Sequence, residues 1–189
     1  MVDERAPIGF LIATLGAVVL AVSVFQPWYG VGITASGAAS VQQEIATVAQ
    51  QYGNAALQTQ ASQLGAPFGS LAGRQLATVS GHDASKNVSR LLLALAAISL
   101  LASLLRLAGI TGLVEAGGGQ IALAGGTAAV LVLFRMLSPP GAGADLVSFS
   151  LSWGIWLALL SAAAIVGGGL FSASAPTQRR PAHSYGPEF

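Results

Sequence analysis

His82, Asp83 and Lys86 fall within one turn of chain, and an imidazole beside a carboxylate is where a metal site or an acid–base pair could begin. One histidine and one aspartate are too few ligands for the tetrahedral set that zinc takes. The segment is therefore expected to be a solvated loop, and no metal ligand is assigned. Serines are plentiful, but none sits in the nucleophile elbow that an activated hydroxyl requires. Gly117-Gly118-Gly119 is not followed by Lys and Ser or Thr, so it cannot be read as a phosphate cradle and is taken as a hinge. The chain has no cysteine, which removes disulfides, thiolate nucleophiles and cysteine-held clusters. No catalytic, cofactor-binding or metal-binding residue emerges, and no cofactor is expected. Arg106 and Arg135 border apolar stretches and are read as anchors whose stems lie along apolar surface. Arg135 is also a candidate for an ion pair with Asp145 or Asp83.

The elements around these residues are dominated by hydrocarbon. Of 189 residues, 53% are hydrophobic and only 8% charged, against about a quarter charged in a soluble domain. A net charge of +1 with scattered Lys and Arg gives no footprint for nucleic acid. Four apolar stretches contain no Asp, Glu, Lys or His, the residues on which proton relays, ion-coupled carriers and intramembrane hydrolases depend. An enzyme is not expected.

A bilayer core of about 30 Å needs about 20 helical residues, and the stretches divide the chain accordingly. The expectation is an all-α membrane protein: a four-transmembrane-helix bundle with an extracytoplasmic loop of roughly 60 residues between helices 1 and 2. Residues 1–6 form a cytoplasmic N-terminus, 7–29 span 1, 90–110 span 2, 120–137 span 3 and 147–171 span 4. Between them lie the long loop 30–89, a short cytoplasmic loop 111–119 and an outer Pro-Pro loop 138–146. Residues 172–189, with Pro176, Pro181 and Pro187, read as a disordered cytoplasmic tail. The first stretch follows Asp3 and Glu4 and ends in Gln26-Pro27-Trp28-Tyr29 without a small-residue cleavage site, so it is taken as a retained anchor. Trp28, Tyr29, Trp153 and Trp156 are placed at headgroup level.

Within the long loop, Val41, Ile45, Val48 and Tyr52 recur at helical spacing. They predict an amphipathic helix near 40–62 capped by Ser40. Leu76-Ala-Thr-Val79 reads as a short strand. Basic residues near the spans are evenly split. Discounting Arg74 and Lys86, which lie in a long loop, places both termini in the cytoplasm. Small residues recur at four-residue spacing in Gly9, Ala13 and Ala17, in Ala122, Gly126 and Val130, and in Gly154, Ala158, Ala162 and Val166. Such rows let helix backbones approach closely, and a homo-oligomer face is the alternative use. Gly167-Gly168-Gly169 is read as a point of local bending.

Richness in Ala, Gly and Leu looks bacterial. Gln26-Pro27-Trp28-Tyr29, Ser80-Gly81-His82, Arg135-Met-Leu-Ser-Pro139-Pro140-Gly141 and Gly154-Ile-Trp-Leu-Ala-Leu-Leu-Ser161 resemble a set of uncharacterised four-span membrane proteins of actinobacteria. The chain departs from them by His82, where an aromatic residue is often seen, and by its longer first loop. The long first outer loop and the Trp just past span 1 are also similar to claudin-like tetraspan proteins, without their paired loop cysteines. The resemblance implies topology and no activity. The expected function is a non-enzymatic, multi-pass protein of the bacterial inner membrane. Its partners would be the bilayer and another membrane or envelope protein, reached through the first outer loop. An oligomeric channel or passive small-solute transporter is the alternative.

Overall fold

The computed structural model describes residues 5–51, 55–110, 117–139 and 146–174. In chain order these form α1 (Arg5–Ser23), β1 (Pro27–Ile33), α2 (Ala35–Gln51), α3 (Ala55–Leu71), β2 (Gln75–Ser80), α4 (Gly81–Ala84), α5 (Lys86–Leu107), α6 (Gly118–Leu137), β3 (Val147–Leu151) and α7 (Trp153–Ala173). The protein is mostly helical, and α5, α6 and α7 are each long and apolar enough to cross a membrane. The apolar part of α1, Pro7–Ser23, is shorter.

Helix α7 packs against α1 and α6, and α5 packs against the same two. Small residues make the α7 contacts close. A Cβ added at Gly168 would stand 2.5 Å from the carbonyl oxygen of Gly9 on α1, and one added at Gly169 would stand 2.6 Å from that of Gly118 on α6. Two consecutive glycines thus serve two different neighbours, and the helix runs unbroken through them to Ala173. The glycine run thus lies inside a continuous helix and makes a double packing contact. The near end of α7, at Gly154, meets the Pro27 backbone just after α1 ends, so α1 and α7 are antiparallel.

The interior is rich in small residues with a few large ones such as Leu20, Leu92, Ile155 and Ile165, and the outer surface is strongly apolar. Ala13, Ala17, Ala96, Ala128, Ala158 and Ala162 are buried, whereas Leu15, Leu123, Val130 and Leu160 are each about two-thirds exposed or more. Three buried serines bond within their own helices: Ser103 Oγ donates to the Ser99 carbonyl at 2.7 Å, Ser161 Oγ to Ala158 at 2.8 Å and Ser172 Oγ to Gly168 at 2.9 Å. The first and last small-residue rows face the interior as expected. In the middle one only Ala122 does: Gly126 meets open space and Val130 points outward, and the inward row on α6 is Gly118, Ala122 and Gly125.

All-α is corrected by a three-stranded antiparallel sheet, order β2-β1-β3. Residues 24–33 and 147–151 were expected inside or beside spans. Instead α1 ends at Ser23, β1 follows, and β3 occupies Val147–Leu151 before α7 begins. Each strand is tied closely to a helix: β1 follows α1, β2 runs directly into α4, and β3 is separated from α7 by Ser152 alone. The predicted strand at 76–79 lies within β2. The single amphipathic helix of the long loop is replaced by two, α2 and α3. Helix α2 starts five residues before Ser40, where Thr34 Oγ1 accepts the Gly37 N–H at 2.9 Å, so Thr34 is the capping side chain. Its buried side carries Ala38 and Ala49, while Val48 is half exposed. Tyr52, the loop 111–116, Pro140, Asp145 and the tail from Ala175 lie outside the described residues.

Candidate functional site

The sheet closes one end of the helices, and two aromatic side chains hold it there. Trp28 is buried, and its Nε1–H donates to the Ser23 carbonyl at 2.8 Å, a second bond at the end of α1 to an oxygen that also accepts the Gln26 N–H at 3.1 Å. Its ring lies so close to Gly81 that a Cβ there would stand 2.5 Å from a ring carbon. Backbone bonds continue the seam: Gly81 N–H donates to Gln26 O at 3.3 Å and His82 N–H to Val24 O at 2.9 Å. Ser89 Oγ on α5 donates to Gly81 O at 2.7 Å.

Tyr29 is fully buried and reaches the other side. Its Oη donates to the Arg135 carbonyl at 2.7 Å, at the last turn of α6, and its ring meets Phe149 of β3 edge-on at 6.5 Å. Burial pushes the Tyr29 phenol above its ordinary range, and the nearby Arg135 charge opposes that in part. The headgroup placement of these two rings is therefore corrected, because both belong to the interior of the seam. Trp153 and Trp156, in contrast, are about half exposed at the start of α7.

The residues singled out for chemistry do not converge. Ser80 caps the short α4: its Oγ accepts the Asp83 N–H at 3.1 Å and donates to Asp83 Oδ2 at 2.6 Å, so Asp83 is engaged as a local cap. The His82 ring stacks on Phe25 at 5.7 Å, and Lys86 begins α5 with its side chain exposed. Among the described residues no three His, Asp or Glu groups come together around a point that could hold a metal ion. Nor is there an ion pair between Arg135 and Asp83. What α6 offers the seam is the backbone carbonyl of Arg135.

The outward feature is the pair α2 and α3, inserted between β1 and β2 and packed against each other. Gln42 Nε2 donates to Gly65 O at 2.8 Å and bridges them. Beside this bond lies an open groove of about 410 Å³, lined by Gln42, Ala46, Ala49, Gln50, Ser62, Gly65 and Ala66. Between Val31 and Gly73 the only charged residue is Glu44. The surface therefore offers amides, hydroxyls and methyl groups, which suit hydrogen bonding and shape fit to an uncharged or weakly charged partner rather than ion pairing.

Comparison with protein families, curated proteins and solved structures returns no match.

Sequence reasoning missed the sheet, and with it the roles of Trp28, Tyr29 and Gly81. The signal was present in the strict alternation of Val147-Ser-Phe-Ser-Leu151 and of Tyr29-Gly-Val-Gly-Ile33, the period of a half-buried strand.

Proposed function

We propose that this chain is an integral membrane protein of four spans, α1, α5, α6 and α7, forming one bundle with both termini cytoplasmic. Its cap, built from the sheet and the α2–α3 pair, is the extracytoplasmic, non-catalytic part that binds a partner in the bacterial envelope. One observation carries the reading: around a core of Ala, Gly and Ser with a few larger side chains such as Leu20, Leu92, Ile155 and Ile165, all four helices turn large aliphatic residues outward. In water such a surface would aggregate, whereas in lipid it is the ordinary solution, because close backbone packing replaces the missing hydrophobic drive. At 1.5 Å per residue, the apolar part of α1 is about 26 Å long and the other three helices about 30–33 Å, against a core of about 30 Å. Partner binding is supported by the exposed, nearly uncharged groove between α2 and α3.

Two measurements test this. In a chain without native cysteine, Ser62→Cys on α3 should react with a membrane-impermeant thiol reagent in intact cells, and Ser174→Cys after α7 should react only after lysis. The reverse pattern overturns the orientation, and full recovery of protein in a detergent-free, high-speed supernatant overturns the membrane reading. A photo-crosslinking residue at Gln50 should trap a discrete envelope protein in cells, and one at the lipid-facing Leu160 should not. An identical product from both sites overturns the assignment of the cap as the binding surface.

A further inference from the structure

His82 occupies the point where the cap is fastened to the helices. Its backbone N–H is bonded to Val24 O, the neighbouring Gly81 N–H to Gln26 O, and Gly81 O accepts from Ser89. The imidazole lies on Phe25, and its Nδ1 is buried without a hydrogen-bond partner. A neutral ring accommodates this by carrying its one N–H on Nε2 and leaving Nδ1 bare. A protonated ring cannot, because both nitrogens then carry hydrogens, and a charged donor would point into a buried site with no acceptor.

We infer that His82 is an acid-responsive latch: proton uptake on its ring opens the seam joining the α1 end, β1 and α4, and loosens the cap. The ionisable groups on the elements packed against α4 do not supply the missing acceptor. On α4 itself the Asp83 carboxylate is bonded to Ser80. On α5 the first charges are Lys86 and Arg90, both positive and both exposed. On β1 the Tyr29 hydroxyl is spent on Arg135 O. Strand β2 and the end of α1 from Pro7 onward carry no ionisable side chain. Imidazole is the side chain whose ordinary titration falls between about pH 5 and 8. Comparison with a variant lacking only this ring separates its proton uptake from that of every other group. The inference rests on the seam alone and stands whether or not the cap binds a partner.

The test is thermal unfolding of the purified full chain in detergent at pH 7.5 and pH 5.5, for the natural sequence and for His82→Phe, which keeps a flat ring on Phe25. The natural chain should become about tenfold easier to open on acidification, seen as a fall in Tm of about 3–6 °C, and His82→Phe should lose that fall. An equal fall in both proteins, or none in the natural chain, overturns the proposal. If His82→Phe does not accumulate, the natural chain decides the matter. With His183→Gln removing the only other histidine, the one labelled imidazole is titrated by NMR while deuterium uptake is followed over residues 80–90. Uptake corrected for intrinsic rates should rise as the ring takes its proton, and uptake unchanged across that titration overturns the latch.

Discussion

Gly167 and Gly168 are adjacent on α7, yet they face different surroundings, and the pair makes a controlled experiment. A Cβ at Gly167 meets nothing within 4 Å; one at Gly168 would sit 2.5 Å from Gly9 O and 2.7 Å from Ala13 N, both backbone atoms of α1. Ordinary contact begins at 3.4 Å, so α1 and α7 would have to part by about 0.9 Å along this line. Forcing a methyl group into such a seam costs about 1–3 kcal/mol. Replacing glycine by alanine in a helix returns about 1 kcal/mol at either position, so the difference between Gly168→Ala and Gly167→Ala isolates the packing cost. For a chain of this size that difference corresponds to about 2–12 °C in Tm, with Gly167→Ala neutral or slightly stabilised. The assay is thermal unfolding of both variants in one detergent, with retention of a monodisperse elution peak as the second readout. If Gly168→Ala melts at or above Gly167→Ala, the close approach of α1 and α7 is wrong and the inward face of α7 has been misassigned.

Other perturbations have equally definite outcomes. Tyr29→Phe removes the bond to Arg135 O while keeping the ring against Phe149, and should cost about 0.5–1.5 kcal/mol in melting experiments. Because burial raises the Tyr29 phenol, the folded state holds its proton longer than the unfolded one. The stabilisation is complete below about pH 10 and declines as pH rises through the raised value; Tyr29→Phe should abolish that alkaline decline. Gly81→Ala drives a methyl group into the Trp28 ring and should lower Tm and shift Trp28 emission; unchanged emission and Tm would contradict the seam. Arg135→Ala leaves the carbonyl that Tyr29 uses, so its Tm should stay within about 2 °C of the natural chain, whereas a loss matching that of Tyr29→Phe would show that the side chain matters.

The helices α5, α6 and α7 were legible because long uncharged apolar runs are a strong signal that leaves little room for another fold. Their edges were less so. A window that averages hydropathy cannot separate Phe25-Gln-Pro-Trp-Tyr-Gly-Val from the helix before it, or Val147-Ser-Phe-Ser-Leu from the helix after it. Strand and helix are equally apolar there and only the period differs. Trp28 and Tyr29 were placed in headgroups by residue type, since an amphipathic ring has two satisfactory homes. Which one it takes depends on carbonyls of Ser23 and Arg135 that become available only once α1 and α6 have ended. The start of α2 was missed for a local reason: Thr34 and Ser40 are both good capping residues, and the apolar spacing began nearer the second. The rows of small residues on α1 and α7 were read correctly, but the α6 row was followed from Ala122 to Gly126 and Val130, away from the inward face that Gly125 and Ala128 continue.

The order of strands in the sheet imposes a timetable on synthesis. Strand β1 is central, yet its partner β3 pairs Tyr29 with Leu151, a residue made more than a hundred positions later. A growing chain can therefore join β1 to β2 early, but that pair keeps one bare edge while the next two apolar helices are still being delivered to the bilayer. Such long-range pairing is slow to form and open to capture by foreign strands in the interval. The sheet is completed by β3, the last of its strands to be made, so a ribosome that stalls before Leu151 leaves behind an unsealed and sticky intermediate.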